Sequence, residues 1–338
     1  MRLASLSLSL LLLAPTARGA DEWQPVATDL LAKEKTGFGG LTGVTVDRAT
    51  GTLYICLSDD GMFRSTDQGK TWERYGKGGK DVPKGRTETP GCMHLDPTGK
   101  TKQFLMANVY GGPVVVGSTD PKGTWRVMDK KSVHVDWCAV DWTDPEMKFV
   151  LAFKHEAGGL LLISRDGGKS FTEGNKGYGL GAWVFDADTA VVALEKPKSK
   201  EKSKGGIVRT TDGGKTFEPV AEYIPVSLPK LQGDAIFWLV EGALLKGTEK
   251  GAKWEKVSDV KDARYGPVFG KDAKHLFVLT AAGVIESADA GATWSKPLAI
   301  PKELKGVNML TWLDYDPKND SLYLMKMGTD LYKLPRSK

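Results

Sequence analysis

Cysteine is scarce in this chain: three residues in 338, Cys56, Cys92 and Cys138. An odd count leaves at least one thiol unpaired within the chain, so no disulfide framework sustains the fold. Three free thiols are expected. Histidine is nearly as scarce, with four residues, and neither H-x-x-x-H nor C-x-x-C spacing occurs, so no compact metal motif can be read. Arginine numbers 11 against 36 lysines. That limits bidentate clamps on carboxylates or phosphates, which need the guanidinium fork. Net charge is modest as well. With residues 1–20 set aside, 45 Lys and Arg face 42 Asp and Glu; this is no broad phosphate-binding field, and nucleic acid is not an expected partner. Beyond the first residues there is no long apolar run, so no transmembrane segment is expected.

The apolar run that does exist, Leu6 to Leu13, follows the basic Arg2 and precedes Ala17-Arg18-Gly19, small residues at −3 and −1 of a cut before Ala20, with a cut after Ala20 as the alternative. It is too short to span a bilayer and reads as a signal peptide over residues 1–20. The remaining chain, 21–338, is therefore expected to be secreted or periplasmic.

What is abundant is one octet. Ser65-Thr66-Asp67-Gln68-Gly69-Lys70-Thr71-Trp72 returns as Ser164–Phe171, Thr210–Phe217 and Ser287–Trp294, with worn copies at Ser118–Trp125 and Gly247–Trp254. The starts lie 37 to 53 residues apart, a period typical of solenoids, propellers and arrays. Asp67 can bond nearby backbone N–H groups and fix a turn. Gly69 supplies a backbone conformation costly for other residues, and Trp72 is an apolar pin under the turn. The motif resembles the Asp-box (BNR) repeat, found in sialidase-like, sortilin-like and photosystem II assembly factor-like propellers. The resemblance implies a box between the third and fourth strands of each blade, at the rim and away from the binding face. Asp67, Asp166, Asp212 and Asp289 are then turn formers, not catalysts.

Each box follows short apolar runs separated by Gly- and Asp-rich breaks, which argues an all-β fold. The expectation is a single seven-bladed β-propeller with four-stranded antiparallel blades. The seventh blade, from Val307, ends without a fourth strand. Glu22-Trp23-Gln24-Pro25-Val26 resembles the strand that follows a box and is expected to supply it, closing the ring and pairing an exposed edge.

The unusual residues gather in loops of the face opposite the boxes. Candidate ligand-binding residues are Asp59, Asp60, Arg86, Glu88, His94, Tyr110, His134, Asp136, His155, Glu156, Tyr178 and Arg264, with Lys80 and Lys84 in the same connection as Arg86. Residues two apart on a strand share a face, so His134, Asp136 and Cys138 would point one way. The candidate metal ligands are His94, His134 and Asp136, weighed against satisfied polar residues at strand ends. Candidate catalytic residues are Asp136, His155 and Glu156, weighed against a solvated loop at His155-Glu156-Ala157-Gly158-Gly159. No cofactor is expected. Lys196–Lys204 is a charged insertion, read as a solvated loop or as an electrostatic arm.

Sialidases of the resembling family hold the substrate carboxylate with three arginines. Here Arg64, Arg165 and Arg209 adjoin boxes, and only Arg86 and Arg264 remain for the open face. A glycosidase would need two carboxylates flanking a cleft, and no paired motif singles two out. The expected function is a non-catalytic, exported, monomeric propeller binding a protein, peptide or glycan. The alternative is a glycoside hydrolase of the sialidase-like or xyloglucanase-like type.

Overall fold

The computed structural model describes residues 22–37, 39–75, 86–120, 125–131, 133–195, 205–304 and 306–336. The leader at 1–20, Lys80, Lys84 and the 196–204 insertion lie outside them. Seven antiparallel sheets form a ring of blades. Their strands run in sequence order from the channel outward, except in blade seven. Blade one is Leu41–Asp47, Thr52–Leu57, Gly61–Ser65 and Glu73–Arg74. Blade two begins at Met93–Leu95, blade three at Val135–Val140 and blade four at Tyr178–Val184. Blades five, six and seven begin at Lys230–Gln232, Ala263–Phe269 and Thr311–Asp316. Blade six has three strands among the described residues. Its fourth is reduced to a single bridge, Val284 to Leu298.

The second strands are buried along nearly their whole length, as in Ala235–Val240 and Leu276–Thr280. A strand covered on both faces needs no polar alternation, and AIFWLV and LFVLT show none. The fourth strands of blades one to three, at the rim, are exposed on both residues. The hydrophobic core therefore lies between blades rather than within any one of them.

The four clean boxes are chemically the same turn. Ser65 Oγ donates to Asp67 Oδ1 at 2.8 Å and accepts from Gly69 N at 2.8 Å. Asp67 accepts from Thr71 N at 2.9 Å and from Thr71 Oγ1 at 2.6 Å. Asp166, Asp212 and Asp289 repeat these bonds with Ser170, Thr216 and Thr293. Gly69 sits at φ 88, in the left-handed region where a side chain is costly. The worn copy in blade five is a different turn. Glu249 and Lys250 both take positive φ, and Glu249 pairs with Lys253 Nζ at 2.5 Å instead of gathering backbone donors.

Ring closure uses both chain ends. Gln24–Pro25 pairs with Lys333 and Tyr332 as the outer strand of blade seven, shorter than the five-residue segment read from sequence. Val26 N donates to Leu331 O at 2.8 Å. The blade-one box tryptophan, Trp72, donates to Val26 O at 2.9 Å, and Trp23 donates to Ala299 O at 2.9 Å. At the channel, Asp314 of blade seven accepts from Val46 N of blade one at 2.9 Å. Among the described residues no helix is long and apolar enough to cross a membrane.

Candidate functional site

A cavity of about 970 Å³ opens on the face opposite the boxes. It is built from three kinds of element. Connections between blades bring Glu88 and Thr89 to one side and Val307–Leu310 to another. The loop between the second and third strands of blade three brings His155 to Gly159. Bulged first strands supply Asp136, Leu180 and Arg264.

The bulges explain why those side chains reach the mouth. In blade three Val135 pairs with Lys154 but Trp137 pairs with Phe153, so Asp136 is the unpaired extra residue. Similar register breaks fall between Tyr178 and Ala182 in blade four, and between Ala263 and Tyr265 in blade six. A bulge frees one residue from the ladder and re-aims its side chain. It also overturns the expectation that His134, Asp136 and Cys138 share a face. Val135 and Cys138 enter one core cluster while Trp137 enters another, and His134 stands at φ 60 with its ring edge-on to Tyr110.

Asp136 is the centre of a chain of polar contacts. Its Oδ1 lies 2.9 Å from His155 Nδ1, and His155 Nε2 lies 3.0 Å from Tyr110 Oη. Arg86 lies over the Tyr110 ring, 4.3 Å from its centroid, and donates to Glu88 at 2.6 Å. Glu156 Oε1 lies 3.8 Å from His155 Nε2. The chain ties blade two to blade three. Burial raises the Asp136 carboxyl above its ordinary value, against the opposing pull of His155. Tyr110 is also raised, by desolvation and by the nearby Glu156 and Glu88 charges. A phenol shifted that way is a poor nucleophile.

Of the residues singled out by sequence, Glu88, Asp136, His155, Glu156 and Arg264 line the cavity. Arg86 and Tyr110 do not line it but touch the lining residues Glu88 and His155, and His134 packs against Tyr110. Asp60 belongs to the Ser58–Asp60 turn of blade one, where its carbonyl accepts from Arg74; Asp59 is in the same turn. Tyr178 is buried, 5.5 Å from Phe217 between ring centres. His94 lies deeper in the channel, with Nε2 against Gly91 O at 2.8 Å. Burial, and then the Lys230 charge, lower its pKa to about 4. The metal candidates His94, His134 and Asp136 are thus not brought together. Among the described residues no group of three His, Cys, Asp or Glu is placed to hold a metal. None of the three cysteines forms a disulfide, and all three are buried.

Sequence reasoning passed over Thr89, Leu180, Glu195, Val226 and Met309, all of which line the cavity. Apart from Glu195, these are neither titratable nor aromatic, the residue types in which the sequence offers a chemical signal. The signal available for Leu180 was the run Tyr178-Gly179-Leu180-Gly181, whose glycines mark a break in a strand.

The model of the BNR/Asp-box repeat matches residues 63–74. The chain is 25% identical over 234 residues to the protein named "Probable oligoxyloglucan-reducing end-specific xyloglucanase" from Neosartorya fischeri. That match covers 60% of this chain and 28% of the relative, so the chain spans well under a third of that protein. Among solved structures, one similar fold is the extracellular domain of a protein assigned to a hybrid two component system of B. thetaiotaomicron. It has a TM-score of 0.57 at 10% identity, over 94% of this chain and 40% of that one. Another is YCF48 bound to D1 peptide, with a TM-score of 0.53 at 13% identity, over 98% of this chain and 100% of that one. At such identities the structural likenesses establish the fold.

Proposed function

We propose that this Asp-box propeller is an exported binding protein that holds a peptide segment of a partner in the cavity opposite the boxes. The observation that carries the reading is the composition of that cavity. Apolar Leu180, Val226 and Met309 lie between polar groups at its edges, the usual make-up of a site that grips a side-chain-bearing ligand. Met309 is 57% exposed at the lip. The one Phe, Tyr or Trp ring that lines the cavity among the described residues is Phe153, which is 6% exposed and stacked on Trp137, so it leaves little aromatic face for a sugar ring to stack on. The Asp136 carboxylate is engaged by His155, and Glu156 adjoins it on the same blade rather than across the cleft. These two acids are therefore not the opposed pair that hydrolysis of a glycosidic bond requires, though Glu88 and Glu195 line the same cavity from other elements.

The xyloglucanase relative favours a second reading, glycoside hydrolysis in the same cavity. One experiment separates the two. Immobilised protein is offered acetylated, amidated random nonapeptides, and soluble protein is incubated with xyloglucan oligosaccharides. The peptide reading predicts retention of peptides, its loss in Met309→Trp, and intact oligosaccharides. Release of shortened oligosaccharides, with no peptide retained, would replace it by the hydrolase.

A further inference from the structure

The first strand of blade five sets a lysine in the channel. Lys230 lines a small cavity of about 40 Å³ with His94 of blade two, Trp137, Cys138 and Trp142 of blade three and Trp183 of blade four. Indole and aliphatic groups make up most of that lining, and among the described residues the Lys230 side chain makes no hydrogen bond or ion pair. The charged groups that act on it are committed elsewhere. Asp314 accepts from Val46 N at 2.9 Å and from Tyr315 N at 2.8 Å. Arg48 donates to Phe269 O at 2.7 Å and to Gly270 O at 2.6 Å. His94 donates from Nε2 to Gly91 O, which leaves the lone pair on Nδ1. Burial lowers the Lys230 pKa below its ordinary value, with Arg48 acting in the same sense and Asp314 against it. An ammonium taken out of water without a counterion gives up its proton readily, and the free amine is a nucleophile. A neck of about 30 Å³ lies between this cavity and the mouth. Thr89, Leu180, Val226 and Met309 line both neck and mouth, and Leu228 lines both the neck and the Lys230 cavity. A water needs about 10–15 Å³ of such space, so neck and cavity admit only molecules of about two to four heavy atoms.

We propose that Lys230 is a nucleophilic amine that captures a small aldehyde as an imine inside the channel. The site is separate from the peptide cavity and does not depend on the peptide reading. The amine lone pair adds to the carbonyl carbon, and the C=O π pair moves to oxygen. Transfer of a proton from nitrogen to that oxygen gives the carbinolamine. Nitrogen then forms its second bond to carbon as the hydroxyl group, protonated, leaves as water. The proton taken up at that step is returned when the iminium nitrogen loses its own, and the His94 Nδ1 lone pair is the base in the same cavity. The balance is amine plus aldehyde to imine plus water, with nothing oxidised or reduced.

The probe is formaldehyde with cyanoborohydride, whose hydride reduces each imine to a methylamine and so fixes its position. The full chain is treated with limiting reagent at about pH 6 and about pH 9, and methylation of each of the 36 lysines is read by peptide mass spectrometry. Ordinary lysines, with pKa about 10.4, are protonated at the lower pH. There Lys230 should be methylated at least tenfold faster than the mean of the others. The advantage should shrink at the higher pH, where the others begin to lose their protons, and vanish in concentrated urea. In His94→Gln, which keeps a donor for Gly91 O but has no basic nitrogen, the Lys230 rate should fall several-fold while the other lysines react as in wild type. Methylation of Lys230 no faster than the others at the lower pH overturns the proposal. So does an advantage that survives unfolding, because the local sequence and not the channel would then be its source. An unchanged Lys230 rate in His94→Gln overturns the role given to His94.

Discussion

The two faces of the ring use carboxylates in opposite ways. At the rim, Asp166 and Asp289 are nearly open to solvent, and hydrogen bonds, first from Ser170 and Thr293, lower each to about 2. At the mouth, Asp136 is enclosed and burial raises it. The rim acids are ionised at almost any pH and spend their oxygens on one turn. The mouth acid instead shares one oxygen with the His155 ring of its own blade. Rim turns also repeat, because each is a local bargain among eight consecutive residues. The mouth does not repeat, because bulges, loops and inter-blade connections from different blades each contribute one or two residues. Structure is carried by the repeat, and the candidate site by departures from it.

The largest expected effect tests what keeps the two faces apart. Deleting residues 21–26 removes the outer strand of blade seven and the acceptor of the Trp72 indole. It exposes a strand edge and apolar surface, at a cost of several kcal/mol, on the order of one buried aromatic plus a strand's pairing. Thermal unfolding of the truncated chain at the unchanged temperature would show that the ring does not depend on this closure.

Next in size are the acids, whose pH dependence has opposite sign on the two faces. A folded-state pKa lowered from 3.8 to about 2 contributes stability above pH 3.8 that is lost as pH falls toward 2. Relative to wild type, Asp166→Asn should therefore lose little at pH 2 and lose most above pH 4, by about 2–4 °C in Tm. Asp136 is raised, so its contribution is a penalty, absent below pH 3.8 and complete above its folded pKa. Asp136→Asn keeps an acceptor for His155 and removes that penalty. Its Tm relative to wild type should climb as pH rises from 3.5 to 6, the reverse of Asp166→Asn. Parallel slopes for the two variants would erase the contrast between rim and mouth.

The smallest effect concerns the thiols. Burial pushes Cys92 up to about 12 and Cys138 higher still, so the folded protein should react slowly with thiol reagents near neutral pH. The denatured, unreduced chain should titrate with three equivalents. One equivalent would reveal a disulfide.

Much of the ring was legible because its determinants are local. Ser65, Asp67, Gly69 and Thr71 specify their turn within seven residues, and the likeness of Trp23 to Trp72 and Trp254 pointed to the closing strand. The mouth was half legible. Glu88, Asp136, His155, Glu156 and Arg264 stand where loop placement put them. Tyr178 and the supposed His134–Asp136–Cys138 face do not, because strand alternation was read through bulges that nothing in the local sequence of blade three announces. Leu180, Val226 and Met309 escaped because an apolar residue near a strand end looks like core until the ring places it at an opening.

The most direct measurement compares one variant from each face. Met309→Trp fills the lip of the cavity, and Asp166→Ala unmakes a rim turn. Retention of the same blocked nonapeptide mixture is measured on both proteins at a temperature where each is fully folded. The account predicts that Met309→Trp loses retained peptide at least tenfold while Asp166→Ala matches wild type. Wild-type retention in Met309→Trp together with a loss in Asp166→Ala would place binding at the rim and contradict it.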